Sequence, residues 1–141
     1  MMKHLDPPTC VFILAGYERE MNQFLDCNEG LTRRIPYRYH FQPYTAAQMG
    51  EILAAIARSK DEDLEPGCVE HCVALLERHL TVQQRETQNA GLVNNWIAFA
   101  QVERDDRIDI NEAKKNPDLA SLLLKKDFEA ALPALRNMAQ K

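Results

Sequence analysis

The sequence predicts a mainly α protein with a small α/β remnant: two short strands, at about residues 11–15 and 37–42, followed by a helical bundle. Three observations carry this. The run Val11-Phe-Ile-Leu-Ala15 is wholly apolar, rich in strand formers and followed by Gly16, the pattern of a strand buried on both faces. Tyr37, Tyr39 and Phe41 alternate with Arg38, His40 and Gln42, as in a strand with one face buried. After the break at Pro43 and Tyr44, strand periodicity disappears and apolar residues recur every three or four positions.

Taken in order, Met1 to Leu5 reads as the last turn of a helix stopped by Pro7 and Pro8, because proline lacks the amide proton and disfavours helix in the residue before it. Glu18 to Asp26 places Met21, Phe24 and Leu25 at helical spacing, with Asn28 and Gly30 as the stop. Leu31 to Pro36 is a loop that holds Arg33 and Arg34. Thr45 and Gln48 have the spacing of a capping box, and Met49, Ile52, Leu53 and Ile56 then form one apolar face that ends in the charged stretch Ser59 to Glu65. Pro66 suits a first helical position, ahead of a stripe at Val69, Cys72, Val73, Leu76 and Leu80. Thr81 to Gln88 is polar and reads as loop. Asn89 caps a third helix with the stripe Leu92, Val93, Trp96, Ile97 and Ala100. Beyond Glu103 to Arg107 a loop leads to helical stretches at Asp118–Leu124 and Asp127–Asn137. Asp118 and Asp127 stand as caps, Phe128, Ala131, Leu132 and Leu135 form the last stripe, and Pro133 is a site for a kink. Stripes in series must bury one another, so the helices form a bundle.

With 141 residues, 45% hydrophobic and 27% charged, the composition is that of an ordinary globular chain with room for a real core. A net charge of -4, with basic residues interleaved among acids, argues against a nucleic-acid partner. The apolar runs are far shorter than the roughly 20 residues a bilayer crossing needs, so no membrane partner is expected. The start has no apolar stretch that could serve as a secretory signal, which points to the cytoplasm, the nucleus or an organelle interior and not to secretion. Cys10, Cys27, Cys68 and Cys72 are expected as reduced thiols.

Few residues suggest chemistry by themselves. Cys68 and Cys72, with His71 and His79 nearby, lack the second ligand pair that zinc requires, and Cys72 falls within an apolar stripe; packing is the reading and no metal is assigned. Trp96 reads as a core anchor. His4, His40 and His79 form no triad-like arrangement. Arg33 and Arg34, taken alone, are solvated loop arginines or partners of a nearby carboxylate.

The stretches Val11-Phe-Ile-Leu-Ala-Gly-Tyr17, Asn28-Glu-Gly-Leu-Thr-Arg-Arg-Ile35 and Tyr39-His-Phe-Gln-Pro-Tyr44 together resemble AAA+ ATPases of the CbbX and stage V sporulation protein K type. Looser likeness extends through Asn89-Ala90 and Asp127-Phe-Glu-Ala-Ala-Leu132. The resemblance implies a C-terminal fragment of the αβα core at residues 1–44 and a helical lid domain at 45–141, without the Gly-rich phosphate loop or the paired acids that would hold magnesium.

By the same resemblance Arg34 is the arginine finger, which acts in trans on a neighbouring subunit's ATP, and Arg33 is the fallback. Tyr17 and Glu18 fall in the first sensor region. Asn89 and Gly91 fall in the second, where the family's arginine is missing because Gly91 has no side chain; Asn94 stands where members often have a base. The implied function is to complete a neighbour's ATP site and couple hydrolysis to remodelling of a protein partner of unknown identity. The parent would be a homo-oligomeric ring, a hexamer, using ATP and Mg, while this chain alone would bind no cofactor and be inactive. The alternative is a non-enzymatic oligomerisation or interaction module derived from a degenerate AAA+ domain, which Gly91 favours.

Overall fold

The computed structural model describes residues 11–27, 29–116 and 118–140. The helix end read at Met1 to Leu5, together with Pro7, Pro8 and Cys10, lies outside them. The chain divides into two compact units between Gln42 and Pro43.

In the first unit, α1 (Glu18–Asp26) forms over the residues its spacing predicts. It is followed by α2 (Glu29–Arg34), which corrects the expected loop: Gly30 lies inside a helix, and Arg33 and Arg34 occupy its last turn. Two cations at a helix C-terminus complement the carbonyl end of the macrodipole, which composition-based loop reading overlooks. Leu25 and Leu31 are buried, and the Thr32 hydroxyl donates to the Leu25 carbonyl at 3.3 Å, tying the two helices together.

Neither expected strand is present. Residues 11–17 and 35–45 have no regular structure, and Val11 and Phe41 are both 90% exposed. Alternation and apolarity tell which face of a strand would be covered, but a strand also needs a hydrogen-bonding neighbour, and none is found for either stretch among the described residues.

The second unit is mainly α, and the only strand pairing among the described residues lies within it. Its elements are α3 (Ala46–Ser59), β1 (Asp63–Leu64), α4 (Cys68–His79), α5 (Val82–Arg107), α6 (Ile110–Lys115), α7 (Asp118–Ser121), β2 (Leu122–Leu123) and α8 (Lys125–Ala139). The strands run parallel, Asp63 opposite Leu122 and Leu64 opposite Leu123. Thr45 and Gln48 close the predicted capping box on α3. Thr81 and Gln84 close an identical one on α5, so residues 82–88 are helix and not loop. Pro66 does not begin α4: Glu65, Pro66, Gly67 and Cys68 form a turn, with Gly67 at φ 75° and the Cys68 amide donating to the Glu65 carbonyl. This is the proline-then-glycine arrangement of a type II turn, where the third residue needs positive φ.

The predicted stripes meet in one core. Met49, Leu53, Cys72, Leu76, Leu92, Trp96, Ile97, Phe128 and Leu135 are all buried. Trp96 meets Phe128 edge to face with ring centroids 5.4 Å apart, and its indole N–H donates to the Phe128 carbonyl at 3.1 Å. That satisfies the one polar atom a buried tryptophan brings with it. Where α3 crosses α4, Gly50 faces Val69 and Val73; a Cβ there would lie 2.6 Å from a Val73 methyl, so only glycine permits this approach.

Two arginines on the last turns of α5 hold the strands. Arg104 is buried and pairs with Glu62, just before β1. Arg107 reaches Asp127 through a two-pronged pair, Nε to Oδ1 and Nη2 to Oδ2, both at 2.9 Å, and also donates to the Leu122 carbonyl. Asp127 is not the cap expected of it. It is the third residue of α8, and its Oδ2 reaches back to accept from the Leu124 amide at 2.9 Å. Asp118 likewise begins α7 and does not precede it. α8 runs through Pro133, whose missing N–H falls on an exposed face of the helix.

Asp127→Ala removes the partner of Arg107 and the acceptor for Leu124 together. A loss of about 3 kcal/mol is expected in urea unfolding, the low end for breaking a buried pair because Arg107 is part exposed. A loss under about 1 kcal/mol would show the pair to be dispensable.

Candidate functional site

The residues singled out in the sequence fall in both units. In the first, Tyr17 is the extended residue preceding α1 and is exposed. Glu18 opens that helix, and its Oε2 lies 3.6 Å from Nδ1 of His40, an exposed contact that sequence spacing does not reveal. Arg33 and Arg34 are exposed on the last turn of α2. Arg34 Nη1 donates to the Gly30 carbonyl at 3.2 Å, a bond within the same short helix that steadies the side chain along the helix end. The fork of donors on a guanidinium matches the oxygens of a phosphoryl group or carboxylate.

In the second unit, Asn89 interrupts α5. Its backbone, at φ 48° and ψ -133°, is non-helical between two helical halves. A residue other than glycine in that region costs on the order of 1–3 kcal/mol, so the surroundings must hold it there. One bond at this residue is long in sequence: Asn89 Oδ1 accepts from the Tyr44 amide at 3.0 Å. The boundary read at Asn89 is therefore real, but its side chain serves a different segment and does not cap the helix that follows. Gly91, two residues on, has no atom within 4 Å of where a Cβ would stand. A larger side chain would fit there, and the chain presents none.

Cys68 and Cys72 are both core residues. The hydrogen bond they share, together with burial, holds the Cys72 thiol well above its ordinary value. The same bond draws Cys68 down, against its own burial. Cys72, enclosed and held protonated, is neither nucleophile nor metal ligand. Among the described residues no three His, Cys, Asp or Glu side chains are placed to hold a metal ion. The sequence has no Gly-rich loop closed by Lys and Ser or Thr. With open space over Gly91, these residues do not fit a nucleotide and its magnesium on their own.

The AAA lid domain family model matches residues 45–138, and the chain belongs to that family. It carries the C-terminal lid region of an AAA+ ATPase. The ESX-3 secretion system protein EccA3 of Mycolicibacterium smegmatis is 30% identical over 124 residues, which cover 80% of this chain and 20% of that protein. Stage V sporulation protein K of Bacillus subtilis is 36% identical over 66 residues, 45% of this chain and 20% of that protein. The chloroplastic ribulose bisphosphate carboxylase/oxygenase activase of Cyanidioschyzon merolae is 30% identical over 98 residues, 70% of this chain and 31% of that protein. The chain thus spans 20% to 31% of the length of these curated relatives. No helix among the described residues is long and apolar enough to cross a membrane.

Burial separates the thiols sharply, because Cys27 is exposed while Cys68 and Cys72 are enclosed. Alkylation of the native chain followed by mass spectrometry should modify Cys27 readily, with Cys68 and Cys72 reacting roughly 100-fold or more slowly until denaturant is added. Comparable rates at all three would contradict the packing described.

Proposed function

We propose that this chain supplies the shared parts of a ring-shaped ATPase: an arginine, Arg34, that reaches the phosphates of ATP held by a neighbouring subunit, and a helical lid that passes the resulting shape change to a protein partner. The observation that carries this reading is the placement of Arg34 on the exposed last turn of a short helix within Gly30-Leu-Thr-Arg-Arg34, in a chain that belongs to the AAA lid domain family. A guanidinium delivered by a neighbour needs three things: exposure, a rigid base and an anion of matching geometry. Exposure and base are present in α2. Arg33, one residue earlier on the same turn, is the fallback. Tyr17, Glu18 and Asn89 have weaker claims as sensors, the first two because they are exposed at the start of α1 and the last because its carboxamide oxygen is occupied by Tyr44.

On this reading residues 1–44 are the end of an αβα core and residues 45–141 its lid, in a cytoplasmic hexamer whose full-length subunits use ATP and magnesium. A second reading has one observation in its favour. The open space at Gly91 leaves the lid without a side chain to sense phosphate, which suits a module retained for oligomerisation after catalysis was lost.

Replacing Arg34 with Ala in the full-length protein separates the two. Steady-state hydrolysis should fall on the order of 10³-fold while nucleotide binding is kept, as for arginines acting across a subunit interface. A rate within about threefold of the unaltered protein would move the role to Arg33 or favour the second reading.

The present chain, titrated with ATP by calorimetry, should show weak binding or none, because it has neither phosphate loop nor lid arginine. Submicromolar affinity would mean that a holder for nucleotide exists in it after all.

A further inference from the structure

We propose that Met138 is a reversible oxidation site for peroxides at the joint between α5 and α8, and that Asn95 makes the oxidation stereoselective. By holding one lone pair of the sulfur, Asn95 leaves the other to react, so the folded chain forms one epimer of methionine sulfoxide in excess. The inference rests on the packing of the helical unit and is independent of the ATPase reading.

The helical unit has two methionines, and their surroundings are unlike. Met49 is fully enclosed in the core. Met138 stands on the last turn of α8, half-buried, with its side chain packed against the same core beside the buried Leu135 and Ala139. One side of it is therefore open to a small oxidant from solvent while the rest is held by its neighbours. A flexible, polarizable thioether in such a place is where oxidation of a folded chain begins.

The sulfur is not bare. Asn95 Nδ2 donates to Met138 Sδ at 3.2 Å, a bond between residues 43 positions apart. Its two ends are fixed by the core: Asn95 directly precedes the fully buried Trp96 and Ile97 on α5, and Met138 lies one turn after the fully buried Leu135 on α8. A thioether sulfur accepts weakly, through one of two lone pairs. In oxidation a peroxide transfers its terminal oxygen to a lone pair: the O–O bond breaks, the S–O bond forms, sulfur gives up two electrons, and the departing oxygen leaves as water when the peroxide is hydrogen peroxide. The product is chiral at sulfur, and its handedness records which lone pair reacted. In a flexible peptide the two lone pairs are nearly alike. Here the Asn95 N–H occupies one, and attack there must first break that bond. Because methionine sulfoxide reductases each accept one epimer, a single class of reductase would erase most of the mark. While it stands, a polar group replaces an apolar one where α8 packs against the core, which loosens that end of the joint.

Brief treatment of the whole chain with hydrogen peroxide, followed by digestion and mass spectrometry, tests this. The epimers at Met138 are counted by the share that each of the two stereospecific methionine sulfoxide reductases removes. One epimer should exceed the other about fivefold, as expected when a hydrogen bond of ordinary strength must be given up before the second lone pair reacts. Met49 should react roughly 100-fold more slowly, as an enclosed side chain does. The excess should fall to near parity in Asn95→Ala, and also in Asn95→Leu, which keeps bulk at the position without the donor. Near parity in the unaltered chain overturns the proposal, and so does Met138 as resistant as Met49. An excess that persists in Asn95→Ala would come from packing alone, and one that persists only in Asn95→Leu from bulk alone; either result overturns the role of Asn95. Should these variants fail to fold, shown by rapid oxidation of Met49, Asn95→Asp is read by the same criteria, since its carboxylate keeps the shape and has no N–H to donate.

Discussion

The carboxylate of Asp127 is the constraint on which the packing of the helical unit depends. Buried to 2% exposure, it takes both prongs of Arg107 and the backbone amide of Leu124, so that the end of α5, the exit of β2 and the first turn of α8 converge on two oxygen atoms. A buried carboxylate is tolerable only with its acceptor sites filled by donors, and here they are filled from three directions. Arg104, one turn earlier, does the same for Glu62 ahead of β1. The two-residue strands could not persist alone, since such a short ladder has few hydrogen bonds to set against its conformational entropy. They pair because the arginines bring their ends together. Above this polar clasp the apolar stripes close around Trp96 and Phe128, whose mutual hydrogen bond fixes the register of α8 against α5.

How much of this could be read from the residue order depended on how local the cause was. Helical stripes are periodic, and those at Met49 to Ile56, at Leu92 to Ala100 and at Phe128 to Leu135 turn out to line one core. The capping box at Thr45 is local too. Its twin at Thr81 has the same spacing but introduces a polar arm, and the absence of an apolar stripe masked the helix. Asn89 was legible as a boundary because its residue type favours helix ends, whereas its partner, 45 residues away, was not. The partners of Arg104 and Arg107 were hidden for the same reason: a charge states that it needs a counterion without stating which one. The strands at 63–64 and 122–123 lie in a charged stretch and in a short leucine run, where period-two alternation has no room to show.

The candidate site was legible in part. The resemblance to AAA+ ATPases, and not residue type or spacing, picked out Arg34 and Gly91, and the structure adds a helix end under the first and empty space over the second. It does not turn either into a nucleotide holder. On the proposed reading, the lid and the exposed arginine each act on a ligand bound by something else. A site of that kind asks for little pocket chemistry in its own chain: Cys68 and Cys72 are enclosed, and the buried Asp127 and the largely covered Glu62 side chain are already engaged.

Gly50 carries a mechanical meaning beyond packing. Because α3 and α4 touch there at backbone range, with two valine side chains seated where a Cβ would be, the pair has no free play along its crossing. Sliding one helix past the other would drive a valine methyl into the opposing backbone, so the two behave as a single stiff plate. Compliance is thereby pushed out of the α3–α4 crossing and toward the rest of the helical unit.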